Sequence, residues 1–137
     1  MIETALRALL LASPGVSTLV GARVYMTILP PAVTYPAVTY QIVSGESHYS
    51  HQGPSDLGSP RVQVDCYAET DIGVLALRDA VMAALSGFKG QAGSPPVIIQ
   101  GVFRAMERDG YEGGLARAGP RLWRKSIDFN VWFEESF

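Results

Sequence analysis

Two stretches of the chain place apolar residues at the spacing of an α-helix. The first predicts a helix over about residues 2–12. Ser13-Pro14 then has the residue types that begin a new, short helical turn, because serine caps helix starts and proline suits the first helical position. The second stretch predicts a longer helix over about residues 70–86, which Thr70 or Asp71 can cap and Gly87 follows.

Five other segments are rich in residues that favour β-strands. These predicted strands cover residues 24–29, 37–43, 61–69, 97–108 and 121–134. The third is the clearest, because the apolar residues from Val62 to Ala68 alternate strictly with polar ones. Such alternation predicts one covered face and one wetter face. In the fourth, Gly101 is a candidate β-bulge.

The remaining segments are rich in glycine, proline and serine. We expect a linker at residues 89–96 and two long loops at residues 44–60 and 109–120. A long loop inside a compact domain is usually functional or disordered, so both loops are candidate contacts with a neighbouring subunit or a partner. The candidate assembly residues of the first loop are Glu46, Ser47, His48, Tyr49, His51, Asp56 and Leu57, and those of the second are Tyr111, Glu112 and Leu115.

The order of these elements predicts an α+β fold. We expect a mainly antiparallel sheet of four to five strands with two helices packed on one face, in the order α-(short helix)-β-β-β-α-β-β. The length of 137 residues fits a single domain over residues 1–137, and 47% hydrophobic with 18% charged residues is ordinary globular composition. The sequence contains neither an internal repeat nor a domain boundary that we can recognise.

Charge and hydropathy narrow the class of partner. A net charge of −2 without a basic stripe disfavours binding to duplex DNA through its phosphates. The apolar start, residues 1–13, lacks a basic n-region and is too short to span a bilayer. We therefore expect a soluble protein that is made in the cytoplasm and has no membrane partner.

Residues that could carry chemistry all have a plainer interpretation. His48 and His51 could be a metal pair, but a glycine-rich and serine-rich loop does not hold three or four zinc ligands rigidly. Cys66 stands in the apolar register of a strand, where a thiol is a small buried hydrophobe. The strand carboxylates can pair with arginines on neighbouring strands. We find no phosphate-binding loop or nucleophile elbow, and we expect no catalytic residue, no metal and no cofactor.

Three apolar residues fall on the wetter side of the predicted strands: Tyr67, Leu122 and Trp132. One such residue is normal on a surface, whereas three suggest a patch that a partner covers. A helix or loop of the chain itself could equally lie over them. We keep the interface interpretation, because aromatic residues are enriched where interfaces bury surface.

Several segments, in their order, resemble the tail-terminator or tail-completion family of long-tailed phages with non-contractile tails and of gene-transfer particles. The segment Tyr35-Pro36-Ala37-Val38-Thr39-Tyr40-Gln41 is similar to the extended segment before the family's variable loop. The most specific piece runs from Arg61 to Ala68 and leads directly into a helix. The segment from Ser126 to Trp132 resembles the family's last strand, and the similarity covers nearly the whole chain.

The resemblance implies a structural protein and no enzyme. It implies a hexameric ring of identical subunits that caps the head-proximal end of the tail tube, stops tube growth and offers a surface to the head connector. The partners would be further copies of the chain, the tail-tube protein and the connector or stopper, with DNA passing through the lumen without specific binding. The place would be the head–tail junction of a virion, after assembly in the host cytoplasm. A stopper or adaptor ring of the same junction and a small ligand-binding or enzymatic domain remain the alternatives.

Overall fold

Three helices and eight strands make up the described part of the chain. The computed structural model describes residues 2–30, 33–44, 47–50, 53–58, 61–93, 97–112 and 122–134. The helices are α1 (Ile2–Ala12), α2 (Pro14–Val20) and α3 (Asp71–Leu85). The strands are β1 (Val24–Met26), β2 (Ala37–Ser44), β3 (Ser47–Ser50), β4 (Gly53–Gly58), β5 (Arg61–Ala68), β6 (Gly90–Ala92), β7 (Val97–Glu112) and β8 (Leu122–Glu134).

The helices begin and end close to the predicted residues, for local reasons. Thr70 caps α3, because its side-chain Oγ1 accepts a hydrogen bond from the backbone N–H of Gly73 at 2.9 Å. Gly87 follows the helix with a φ of 77°, and its N–H donates to the carbonyl of Val102 at 2.8 Å. The end of α3 is thereby attached to β7, and the prediction of this helix is confirmed.

One sheet contains all eight strands, and β8 lies at its centre. Strand β5 pairs antiparallel with one edge of β8, from Arg61 opposite Asn130 to Ala68 opposite Trp123. Strand β7 pairs antiparallel with the other edge along the whole length of β8. Outside this pair of neighbours lie β2 and β1 on the β5 side and the short β6 beside β7. The β1–β2 pair is parallel, and every other pair is antiparallel.

The core lies between one face of this sheet and the helices. Alternate residues of β5 and β8 point into it, as the sequence predicted, and Phe129 and Ile127 of β8 are fully buried. Leu6 and Leu10 of α1 and Leu77 of α3 meet them from the helix side. Cys66 is buried in the same layer, which confirms its predicted register.

The predicted class, α+β, is correct, but the sheet is larger than four or five strands. The segment predicted as the first long loop contains the β3–β4 hairpin, and β4 also pairs with β8, Leu57 opposite Glu134. The predicted linker contains β6, and β7 continues through residues 109–112 of the predicted second loop. These segments were not predicted as strands, because they lack apolar alternation. Their order comes from backbone pairing with neighbouring strands, whereas side-chain burial contributes to the order of the central strands.

The importance of the sheet–helix core can be measured with one buried aromatic residue. We expect Phe129→Ala to lower the free energy of unfolding by about 3–5 kcal/mol, because it leaves a cavity in a close-packed layer. Phe103→Ala is the matched control: this phenylalanine of β7 is 56% exposed, so a change within about 0.5 kcal/mol is expected. Urea unfolding measures both, and equal losses for the two variants would contradict the described core.

Candidate assembly surfaces

The face of the sheet opposite the helices, here called the outer face, is polar at its centre. Gln63 and Asp65 of β5 lie on it beside Asp128 and Ser126 of β8. Asp65, Ser126 and Asp128 are buried, although all three described helices pack on the other face. Longer side chains of the same face shield these three residues from water. Their polar atoms therefore need hydrogen-bond partners within the protein.

Two arginines from different strands converge on Asp128. Arg61 of β5 donates its Nε to Asp128 Oδ2 at 3.0 Å, and its second guanidinium nitrogen lies 2.9 Å from the same oxygen. Arg108 of β7 approaches the other oxygen, Oδ1, at 3.0 Å. One carboxylate therefore joins the three central strands of the sheet. The arginines are partly exposed, so they keep water contacts while the carboxylate itself is 4% exposed.

A second cluster lies around Asp65 and is connected to the first. The hydroxyl of Ser126 donates to Asp65 Oδ1, and Gln63 Nε2 lies 3.0 Å from each oxygen of the same carboxylate. The other end of the Gln63 amide, Oε1, accepts from Arg108 at 3.3 Å. The polar groups thus form one continuous network across β5, β8 and β7. It can hold the strands in register and present a charged surface to a partner.

Of the three residues predicted as one interface patch, Trp132 lies apart from Tyr67 and Leu122. Tyr67 is half-buried and hydrogen-bonds to Thr39 and Arg124, and its burial raises the pKa of the phenol. Leu122 is 8% exposed, so its predicted exposure was wrong. Trp132 is half-buried and lies opposite Gly101, far along β8 from Tyr67. Tyr67 lies opposite Arg124, two residues from Leu122, and an interface role for these residues stays a prediction.

The loop residues predicted for assembly lie in several places. Ser47, His48 and Tyr49 belong to β3, while Asp56 and Leu57 belong to β4, so these five stand on one hairpin. Tyr111 and Glu112 end β7. Glu46, His51 and Leu115 lie outside the described residues.

Apolar residues that the sequence analysis did not single out are the more exposed ones. Phe103 and Met106 lie on the outer face of β7, and they are 56% and 46% exposed. The register shift at Gly101, which was predicted as a bulge, turns Phe103 to this face, and a second shift between Arg104 and Met106 restores the original alternation. A bulge moves the later side chains of a strand to the opposite face, so simple alternation from Ile99 would have placed Phe103 in the core, whereas it places Met106 correctly.

A groove of about 400 Å³ opens between the start of α3 and the adjoining ends of β7 and β8. Its lining residues are Asp71, Val74, Leu75, Asp109, Gly110, Trp123, Arg124 and Lys125. Leu75 and Trp123 supply partly exposed apolar surface, and Lys125 forms an ion pair with Asp109 at 2.5 Å. We call this feature the α3–β8 groove. A groove with an apolar floor and charged walls can bind an apolar side chain of a partner that has charged residues beside it.

Metal and thiol chemistry find little support in the part of the chain that the structure describes. It contains no group of three or more His, Cys, Asp or Glu side chains that could hold a metal ion. Cys66 is fully buried, and that burial raises the pKa of its thiol, so the thiolate that a nucleophile requires is disfavoured. Among the described helices, none is long and apolar enough to cross a bilayer.

Comparison with known families assigns the chain. A family described as "Tail completion protein gp17" matches residues 4–134. The chain belongs to this tail-completion family. The match covers both exposed surfaces described above, the outer face and the α3–β8 groove. Membership gives the protein a structural role in the tail of a virion.

A solved structure shows the same fold in a particle. A chain from the structure titled "Virion of native gene transfer agent (GTA) particle" superposes with a TM-score of 0.70 at 18% sequence identity, covering 97% of this tail-completion protein and 94% of that chain. No curated protein sequence matches. At this identity the likeness demonstrates the fold, and it supports the resemblance on which the family was predicted.

The outer-face network can be tested through its central carboxylate. Asp128→Ala should lower the free energy of unfolding by about 1–3 kcal/mol, because two guanidinium groups lose their shared partner beneath the surface. The matched control is Asp79→Ala: its ion pair with Arg78 is exposed at the carboxylate, so we expect a loss below about 1 kcal/mol. Urea unfolding measures both variants, and an Asp128→Ala protein as stable as the control would show that the network contributes nothing.

Proposed function

We propose that this tail-completion protein forms a ring of identical subunits, six by the family resemblance, on the head-proximal end of a tail tube. The ring stops further tube growth and then offers its free side to the head connector, while DNA passes through the lumen. The observation that carries the proposal is the family match over residues 4–134. The similarity in fold to a chain of a gene transfer agent virion supports it.

A capping ring must meet copies of itself and the rim of a tube, and this chain has surfaces suited to both. A ring requires a contact between two different patches that closes by rotation. The charged outer face, the α3–β8 groove and the β3–β4 hairpin are three separate surfaces. The hairpin extends the sheet beyond the end of β5, since β4 pairs only with the last residues of β8, Leu57 with Glu134 and Gly58 with Phe133. We infer that it contacts a neighbouring subunit or the tube.

The length of the tail tube is the direct test of capping. Particles assembled without this protein should carry tubes that are longer than normal and lack heads, because nothing stops polymerisation. Electron microscopy of lysates measures tube length and head attachment, and expression of the wild-type chain in trans should restore both. Tails of normal length that remain unjoined to heads would contradict termination and support a stopper or adaptor ring.

Deletion of residues 47–57 tests the hairpin. Ser44 of β2 pairs with Arg61 of β5, and the deletion leaves five residues between them, which is a normal hairpin length. We therefore expect a folded protein that no longer caps tubes.

The control is the unfolding midpoint of the same variant in urea, which should stay close to that of the wild-type protein. A folded deletion variant that restores tails of normal length would exclude a role of the hairpin in capping, without excluding the ring itself.

A further inference from the structure

Two exposed apolar features lie apart on the molecule, one at the β1 edge of the sheet and one where α3 packs beside the ends of β7 and β8. Met26, at the end of β1, is 57% exposed, and Ile28 just after it is 74% exposed. On the other side, Ile72 and Leu75 of α3 and Trp123 of β8 are 76%, 39% and 37% exposed at or beside the α3–β8 groove. We call the pair Met26 and Ile28 the β1 knob. Large apolar side chains gathered in this way mark a contact surface.

The β1 knob stands on a fixed and strained turn. Thr27 has a φ of 70°, which is unfavourable for a β-branched residue, and the N–H of Ile28 donates to the carbonyl of Met26 at 2.9 Å. The N–H of Thr27 donates to the carbonyl of Tyr40 on β2, also at 2.9 Å. Such strain persists where the surrounding structure holds it and is often linked to function. Here it displays two apolar side chains on a rigid support.

The charges around the two features are complementary. Arg7 and Arg23 flank β1, and each directs its Nε to a backbone carbonyl, Arg7 to Val24 at 3.2 Å and Arg23 to Pro36 at 2.9 Å. A carbonyl contact does not neutralise a guanidinium, so both positive charges remain on the β1 side of the sheet, where Glu3 of α1 is an acidic neighbour of Arg7.

The groove side exposes the opposite charge. The carboxylates of Asp109 and Asp79 are 75% and 70% exposed, whereas the cations that pair with them, Lys125 and Arg78, are only 16% and 27% exposed. Solvent therefore meets mainly negative charge there, and Asp71 adds a further exposed carboxylate at the groove itself. A basic edge facing an acidic one steers association and fixes the orientation of the partners.

Neither edge is suited to pairing with a strand of another copy. Strand β1 has only three residues, and Arg7 already occupies the outward carbonyl of Val24. Strand β7 has two register shifts, and the carbonyl of Val102 accepts from Gly87. Short strands and bulges are the devices that block edge-to-edge pairing. Contact between copies at these two edges therefore falls to side chains.

We propose that neighbouring copies dock head to tail, with the β1 knob of one copy seated in the α3–β8 groove of the next. This contact deepens the proposed ring and rests on it. Strands β1 and β7 are four strand spacings apart, roughly 20 Å, so the two features of one copy cannot meet each other. A contact between two different patches propagates from copy to copy and gives a ring when its rotation closes, whereas a two-fold dimer would use one patch twice.

Cross-linking within particles tests this contact. Ile28→Cys and Leu75→Cys place one thiol on the knob and one in the groove, at exposed positions that tolerate change. Particles are assembled with each single variant or with the double variant and treated with a short bifunctional maleimide. The native Cys66 is fully buried and should not react. Thr18→Cys combined with Leu75→Cys is the matched control, because Thr18 is exposed on α2 and belongs to neither feature.

The double variant should give a ladder of cross-linked species up to a closed ring, whereas the single variants and the control pair stay monomeric on a denaturing gel. Dimers from Ile28→Cys alone would overturn the proposal in favour of a two-fold contact. A monomeric double variant in particles with tails of normal length would also overturn it and would leave tube capping intact. Failure of the proposed function is a separate result: tails of normal length, with heads, in particles that lack the protein altogether.

Discussion

Strand β8 is paired along both of its edges, and the rest of the structure depends on this arrangement. Strand β5 holds one edge from Trp123 to Asn130, β4 continues the same edge at its end, and β7 holds the other edge throughout. Its two faces have opposite characters. Ile127, Phe129 and Val131 are fully buried against the helices, while Ser126 and Asp128 anchor hydrogen bonds on the outer face. A shift by one residue would exchange the faces, so the core and the polar network enforce the same register.

None of the three described helices packs on the outer face, whose centre needs no apolar cover. Both carboxylates on this face are buried and hydrogen-bonded, Asp65 by Gln63 and Ser126 and Asp128 by two arginines. An open sheet face usually exposes alternating polar residues, and here it exposes the outer sides of ion pairs. Exposed apolar surface is found at the β1 knob, at the α3–β8 groove and on the outer face of β7 at Phe103 and Met106.

The fold persists at low sequence identity for a related reason. The chain superposes on the gene transfer agent chain with a TM-score of 0.70 although only 18% of residues are identical. What such a fold requires is apolar alternation in the central strands, an apolar stripe on the helices and a few capping residues. Many sequences satisfy these conditions, because a core tolerates exchange among hydrophobic residues of similar volume. Surfaces for neighbours are set by individual residues and can change while the fold remains.

The sequence by itself determined the elements that carry their own signal. Thr70 and Gly87 delimit α3 through local hydrogen bonding and backbone conformation. The alternation from Val62 to Ala68 assigns the two faces of β5. Both depend on residues close together in the chain.

Only the tertiary structure decided the rest. The β3–β4 hairpin is attached to the sheet by pairing of β4 with the distant β8, the bulge at Gly101 turns Phe103 outward, and the α3–β8 groove exists because α3 packs beside β8. Leu122 shows the limit most clearly: its alternation predicts exposure, but whether a strand's end is covered depends on what the rest of the chain places over it.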